Sequence, residues 1–216
     1  MTVDERIERA GVLYERAVFG GDSDGLVVAD RGLDAVEADL ALARGRVIHA
    51  RFLEDRSEDA RELEFFQRAA DLYERLGEVR GQGEALFWIG TFHQVVREDN
   101  ETALPEFRRA LDLATQVDDR LTMSYALRHL GFADHMAGNL DGARTHFEES
   151  TRLRRELGFL PGVAANLIGL AYLTAQQERR DEAAALLKEA AELAQSTDSH
   201  GVLRWIAGAR KELDLT

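Results

Sequence analysis

The chain has 216 residues, 45% of them apolar, and a formal net charge of -13. Acidic residues spread along the whole sequence set up a field that repels phosphate backbones and anionic membrane surfaces, which argues against nucleic acid or lipid as a direct partner. No stretch approaches 18 uninterrupted apolar residues, Met1 to Arg9 carry no leader pattern, and cysteine is absent, so the expectation is a cytoplasmic protein held together by packing alone.

Apolar residues recur at spacings of three and four nearly throughout, the period of amphipathic helices, and no segment alternates as a strand would. The segment Arg9-Ala10-Gly11-Val12-Leu13-Tyr14-Glu15-Arg16 echoes Arg68-Ala69-Ala70-Asp71-Leu72-Tyr73-Glu74-Arg75 at a distance of 59 residues. This predicts an N-terminal helix left over from a lost repeat, followed by inserted residues that include the loop-like run Gly20 to Gly25. Further on, Phe66, Phe107, Phe147 and Leu187 fall 41, 40 and 40 residues apart, with Leu72, Leu113, Leu153 and Leu193 in step. Upstream of each lies a second register: Leu86, Ile89 and Gly90, then Leu127, Leu130 and Gly131, then Leu167, Leu170 and Ala171, with Gly45, Ile48 and His49 as a degraded first copy. Each unit is therefore a first helix, a short turn and a second helix, and the small residue of the first lets the second approach closely.

Residues 124 to 157 carry the pattern best, with Leu127, Leu130 and Gly131 in the first helix, Ala143 and Phe147 in the second, and Gly138-Asn139-Leu140-Asp141 between them. This resembles the tetratricopeptide repeat. The unit is about six residues longer than the standard 34, and Asp134 stands where the family places an aromatic. The resemblance implies an all-α fold, a right-handed superhelical array of antiparallel helix pairs. The expected plan is one domain with a capping helix and inserted loop in 1–35, helix pairs in 36–79, 80–119, 120–159 and 160–197, and a capping helix in 198–216. Gly77, Gly81, Gly158 and Gly162 are expected at positive φ after helix ends, Asn100 or Thr102 as an N-cap, and Pro105 in a first helical turn.

Chemistry is sparse. No phosphate loop, zinc-binding His-Glu pair or nucleophile elbow occurs, so no catalytic residue, cofactor or metal is assigned and the chain is read as a non-enzyme. Carboxylate pairs such as Asp118-Asp119 and Glu148-Glu149 sit in charged segments and read as solvated. His49 and His93 point to helix seams, His129 and His135 are six residues apart and cannot chelate one ion as an i, i+4 pair does, and His146 and His200 show no partner pattern.

The functional signal lies on the first helices, on the face that lines the concave groove of the arrays this chain resembles. It comprises Arg46 and Ala50, then Phe87, Trp88 and Thr91, then Tyr125, Arg128, His129 and Phe132 with His135 near by, then Ile168 and Tyr172. Burial between helices, cover by a cap or second subunit, and a ligand groove all account for so aromatic a face. The leading reading is a module that binds a protein or peptide bearing an acidic group, with the apolar floor and arginine rim as its contacts. Alternatives are a ligand- or peptide-sensing accessory of a bacterial regulatory system, and an enzyme using the aromatic groove. The terminal helices offer a route to a homodimer, with Trp205 and Ile206 as the residues that mark it.

Overall fold

The computed structural model describes residues 4–215, all of whose regular structure is helical. The chain divides into two compact units, the first ending at Leu113 and the second beginning at Ala114. The first holds α1 (Glu5–Gly20), α2 (Leu26–Asp55), α3 (Arg61–Leu76), α4 (Val79–Thr91) and most of α5 (Asn100–Gln116). The second holds α6 (Arg120–Met136), α7 (Leu140–Glu156), α8 (Leu160–Gln176), α9 (Arg180–Ser196) and α10 (His200–Glu212).

From α6 onward every helix starts 20 residues after the last, because the same turn recurs. Asp118, Gly138, Gly158, Glu178 and Asp198 all take positive φ. The residue after each sends its N–H back across the turn: Asn139 to Asp134 O at 2.9 Å, Phe159 to Arg154 O at 2.8 Å, Arg179 to Thr174 O at 3.1 Å. This is the Schellman closure, which satisfies a terminal carbonyl and reverses the chain in three residues. Such short links make successive helices antiparallel neighbours.

Within each unit the pairs α2 and α3, α6 and α7, and α8 and α9 pack most extensively. The seams of α2 with α3, α4 with α5 and α6 with α7 are built on small residues against aromatic rings, whereas α9 offers Leu187 to α8. A Cβ on Gly45 would lie 2.4 Å from the Phe66 ring, one on Gly90 2.8 Å from Phe107, and one on Gly131 3.2 Å from Phe147. Phe66, Phe107 and Phe147 are buried, with Ala69, Ala110 and Ser150 beside them. The core of the second unit continues through Val163, Leu167, Leu170 and Leu187 to Val202, Ile206 and Ala209 of α10. The helix α10 starts where the first helix of a further pair would, 40 residues after α8.

The one irregular interval, 41 residues between Phe66 and Phe107, has a local cause. Phe92–Val96 form a π-helical turn at the end of α4, and Arg97 N–H reaches Phe92 O, five residues back, at 3.3 Å. That turn holds one extra residue between Gly90 and Phe107 without disturbing the seam on either side.

Four expectations are corrected. The residues inserted near the N-terminus are mostly helix: only 21–25 turn, and α2 runs for 30 residues because it is supported on one side by α1 and on another by α3. Gly81 and Gly162 lie inside α4 and α8, where they make room for the rings of Tyr73 and Phe159, while Gly77 and Gly158 do take positive φ. Asp99, not Asn100 or Thr102, supplies the cap of α5, accepting from Thr102 N–H at 3.0 Å. Pro105 is the sixth residue of that helix and so falls in its second turn.

Two stability changes follow. Glu178 is exposed and holds a left-handed conformation, which costs a non-glycine residue about 1 kcal/mol, so Glu178→Gly is expected to raise unfolding stability by about that amount in urea titration. Gly45→Ala is expected to lower it by about 1 kcal/mol or more, the overlap with the immobile Phe66 ring exceeding the helix-propensity gain.

Candidate functional site

In the first unit, the first-helix face is largely closed. Phe87 and Thr91 are each 2% exposed; Phe87 packs on Phe107 and Thr91 donates its hydroxyl to Phe87 O at 3.0 Å. Trp88 is half-buried, stacked on Phe66 at 5.6 Å and edge-on to His49 at 5.4 Å. Arg46 lies over Trp88 at 5.7 Å and pairs with Glu84 at 3.3 Å. Of the residues singled out in this unit, Arg46, Ala50 and one side of Trp88 thus remain at the surface.

Below them is a pair that sequence reasoning missed. His49 Nδ1 lies 2.8 Å from Glu62 Oε1, and both side chains are buried. The signal for Glu62 was its register, four residues before Phe66 on the core side of α3. The histidine is fixed by that carboxylate and by the rings of Phe52 and Trp88.

The second unit has a polar interior. Arg154 is 1% exposed and lies between the rings of Tyr125 and Phe159, at 5.0 and 5.6 Å. Its Nη1 donates to Gly162 O at 2.8 Å and Asn166 Oδ1 at 2.9 Å, while its Nη2 is buried without a partner. Arg128 Nη1 donates to the same Asn166 oxygen at 3.0 Å and to Ala165 O at 2.7 Å. Asn166 Nδ2 in turn donates to Ser150 Oγ at 2.8 Å. Two guanidinium groups therefore share neutral acceptors. Burial pushes both down, Arg128 to about 10 and Arg154, which also feels Arg128, to about 9. At neutral pH both stay charged, so this region carries cationic potential inside an acidic protein. Arg154 was missed in the sequence; its place on the stripe Ala143, Phe147, Ser150, Arg154 is the pattern that reveals it.

Beyond Arg128 the α6 face opens. Phe132 and Met136, one helical turn apart, are 45% and 65% exposed. Alongside, His135 and Tyr172 come together at a cavity of about 320 Å³ lined also by Gln176, Arg180, Glu212 and Leu213. His135 Nε2 meets Gln176 Oε1 at 3.0 Å, and the Tyr172 hydroxyl donates to Glu212. Burial and that carboxylate push the phenol up to about 12, so it stays protonated as a donor. Arg180 is anchored by Leu213 O at 3.0 Å and Asp214 O at 2.6 Å. His129 is half-buried on α6, and Ile168 is buried.

The repeated helix pair, its left-handed turn and its small-on-aromatic seam agree with the sequence comparison: the model of the tetratricopeptide repeat family matches residues 81–156 and 122–196. The chain belongs to the tetratricopeptide repeat family. No curated protein matches it. Repeats of this family generally mediate contacts between proteins. Asp134, where the repeat expects an aromatic, instead binds His146 Nδ1 at 2.8 Å and accepts from Asn139 at 3.1 Å, so a polar clamp ties the end of α6 to α7. His146 thus has the partner its sequence context did not show. Among the described residues no group of three or more His, Asp or Glu is placed to hold a metal ion, and no helix is long and apolar enough to cross a membrane.

Arg154→Lys is expected to cost about 2 kcal/mol of stability in urea titration, since an ammonium cannot lie flat between two rings while reaching both oxygen partners; Tyr125→Leu, which removes one ring, should cost less.

Proposed function

We propose that the repeat array recognises a partner protein through the α6 and α8 face of its second unit, taking a peptide segment that carries an apolar anchor and an acidic or polar group. The observation that supports this most is the pair of exposed apolar side chains, Phe132 and Met136, beside a polar cavity on a well-packed helical frame. An apolar anchor on Phe132 and Met136 removes them from water, and exposed apolar surface next to polar groups that fix orientation is the usual composition of a recognition site. Arg128, whose hydrogen bonds go only to neutral oxygens, draws a carboxylate toward this end of α6. Arg46 and Trp88 are the contacts the first unit offers to a partner.

A second reading rests on the cavity. Its volume of about 320 Å³ lies at the small end of the range for ligand pockets, and the His135, Gln176, Tyr172 and Glu212 groups lining it suit a small polar molecule. On that reading the chain is a ligand-sensing accessory of a regulatory system, acting through another protein.

The test is selection of a displayed random-peptide library on the immobilised protein, followed by affinities for the enriched peptide. Phe132→Ala should weaken binding about tenfold or more with helicity unchanged, as expected for removal of an apolar anchor. Failure to enrich any peptide, or equal affinity for the variant, would sink the peptide reading. A small polar compound that raises the melting temperature, with loss of the effect in Gln176→Ala, would favour the second.

A further inference from the structure

The helix α2 is apolar on more than one side. One stripe, through Ala38, Leu42, Gly45 and Phe52, is buried on the side of α3. Another recurs every seven residues and is open to solvent: Leu26, Leu33, Leu40 and Val47 are 39%, 41%, 49% and 53% exposed. Exposed Ala43 and Ala50 follow Leu40 and Val47 at three residues, which completes the alternating three-and-four spacing of a coiled-coil seam. The helix α1 covers none of the C-terminal part. Its Arg6 lies beside Gly32 and pairs with Asp39 at 2.8 Å, and the stripe from Leu40 to Ala50 runs on past it.

The charges beside this stripe separate by sign. At the positions flanking it, Asp30, Glu37 and Asp39 precede Leu40, whereas Arg44, Arg46 and Arg51 follow it; Arg31 and Asp34 stand off the flank, and Arg31 donates to Leu76 O at 3.1 Å. A parallel copy of α2 would set acid against acid. An antiparallel copy with Leu40 on a two-fold axis sets Leu33 opposite Val47 of the second copy, and brings Asp30 to Arg51 and Glu37 to Arg44 of that copy. Those are the flanking positions that meet across an antiparallel seam. Glu37 and Arg46 already pair inside the chain with Arg68 and Glu84, so the complementarity rests most on Asp30 and Arg51.

We propose that the protein forms a two-fold homodimer through antiparallel pairing of α2 with α2 of a second copy. A self-complementary patch of this kind closes at two subunits and leaves no unsatisfied copy of itself. The stretch from Leu26 to Val47 spans roughly 32 Å at 1.5 Å per residue, long enough for a continuous seam. This surface lies in the first unit and includes none of the recognition residues proposed in the second, although it borders Arg46, a contact proposed for the partner in the first.

The test uses the full chain in sedimentation equilibrium and oxidative cross-linking. The protein should have twice its monomer mass, and Leu40→Asp, a change at an exposed position, should yield a folded monomer. Asp30→Arg and Arg51→Asp should each weaken the dimer about tenfold, and the double exchange should restore it. Because the chain has no cysteine, Leu40→Cys should give a disulfide-linked dimer under mild oxidation, while Trp205→Cys on α10 should not. A monomeric wild-type protein, a dimer unaffected by Leu40→Asp, or charge exchange that fails to restore association would overturn the proposal.

Discussion

The fold depends on the contact between a small residue on one helix and an aromatic ring on the next. Gly45 meets Phe66, Gly90 meets Phe107, and Phe147 is held between Gly131 of α6 and Gly169 of α8, with a Cβ on Gly169 only 2.7 Å from the ring. Where no side chain separates two helices, their axes approach closely and dispersion contacts multiply, each small but numerous. The ring then fills the space on both sides of its own helix, so one phenylalanine stabilises two neighbours. Helix length and turn geometry follow from this, because the ring, or Leu187 in the last pair, must recur at the same height. The π turn at Phe92–Val96 illustrates the constraint: one extra residue is absorbed in an irregular turn, while the seams on either side keep their register.

A seam of this kind leaves the outer sides of the first helices to vary. In the first unit that variation is spent on packing, with Phe87 and Thr91 inside and Trp88 wedged between Phe66 and Arg46. In the second unit the interior itself is polar. Arg154, Asn166, Ser150 and Arg128 form a chain of neutral-partnered hydrogen bonds, and two aromatic rings supply the remaining stabilisation of the Arg154 charge. Buried networks of this kind are strongly directional, so they orient α6 relative to α8 more sharply than apolar contacts would. The consequence is an α6 face with a fixed geometry, on which Phe132 and the His135 end of the cavity are presented.

Much of this was legible in the sequence because it is periodic. The 40-residue recurrence of Phe66, Phe107, Phe147 and Leu187, and of the small residues ahead of them, gave the helix pairs and the seam together. What was not legible has two causes. Backbone conformation is one: Asp118, Glu178 and Asp198 take the left-handed turn position that glycine marks at 138 and 158, so a search for glycine finds only some of the turns. Buried polar side chains are the other. Glu62 and Arg154 lie on core stripes, but composition alone reads a charged residue as solvated, and only their partners, His49 and the pair of rings, explain their burial. For the surface candidates, one helix face contained both Phe87, which is covered, and Phe132, which is not. Period assigns the face; only neighbours decide exposure.

The ends obey the same logic. The helix α1 shares the residue pattern of α3, yet none of its described residues is fully buried, whereas α3 buries Leu72 and Tyr73. Whether each helix owes its stability to seam contacts on both sides can be read from native-state amide hydrogen exchange resolved by helix. The slowest exchange is expected in α7 and α8 around Phe147 and Leu170, with fast exchange throughout α1. Protection of α1 equal to that of α7 would contradict that dependence on seam contacts.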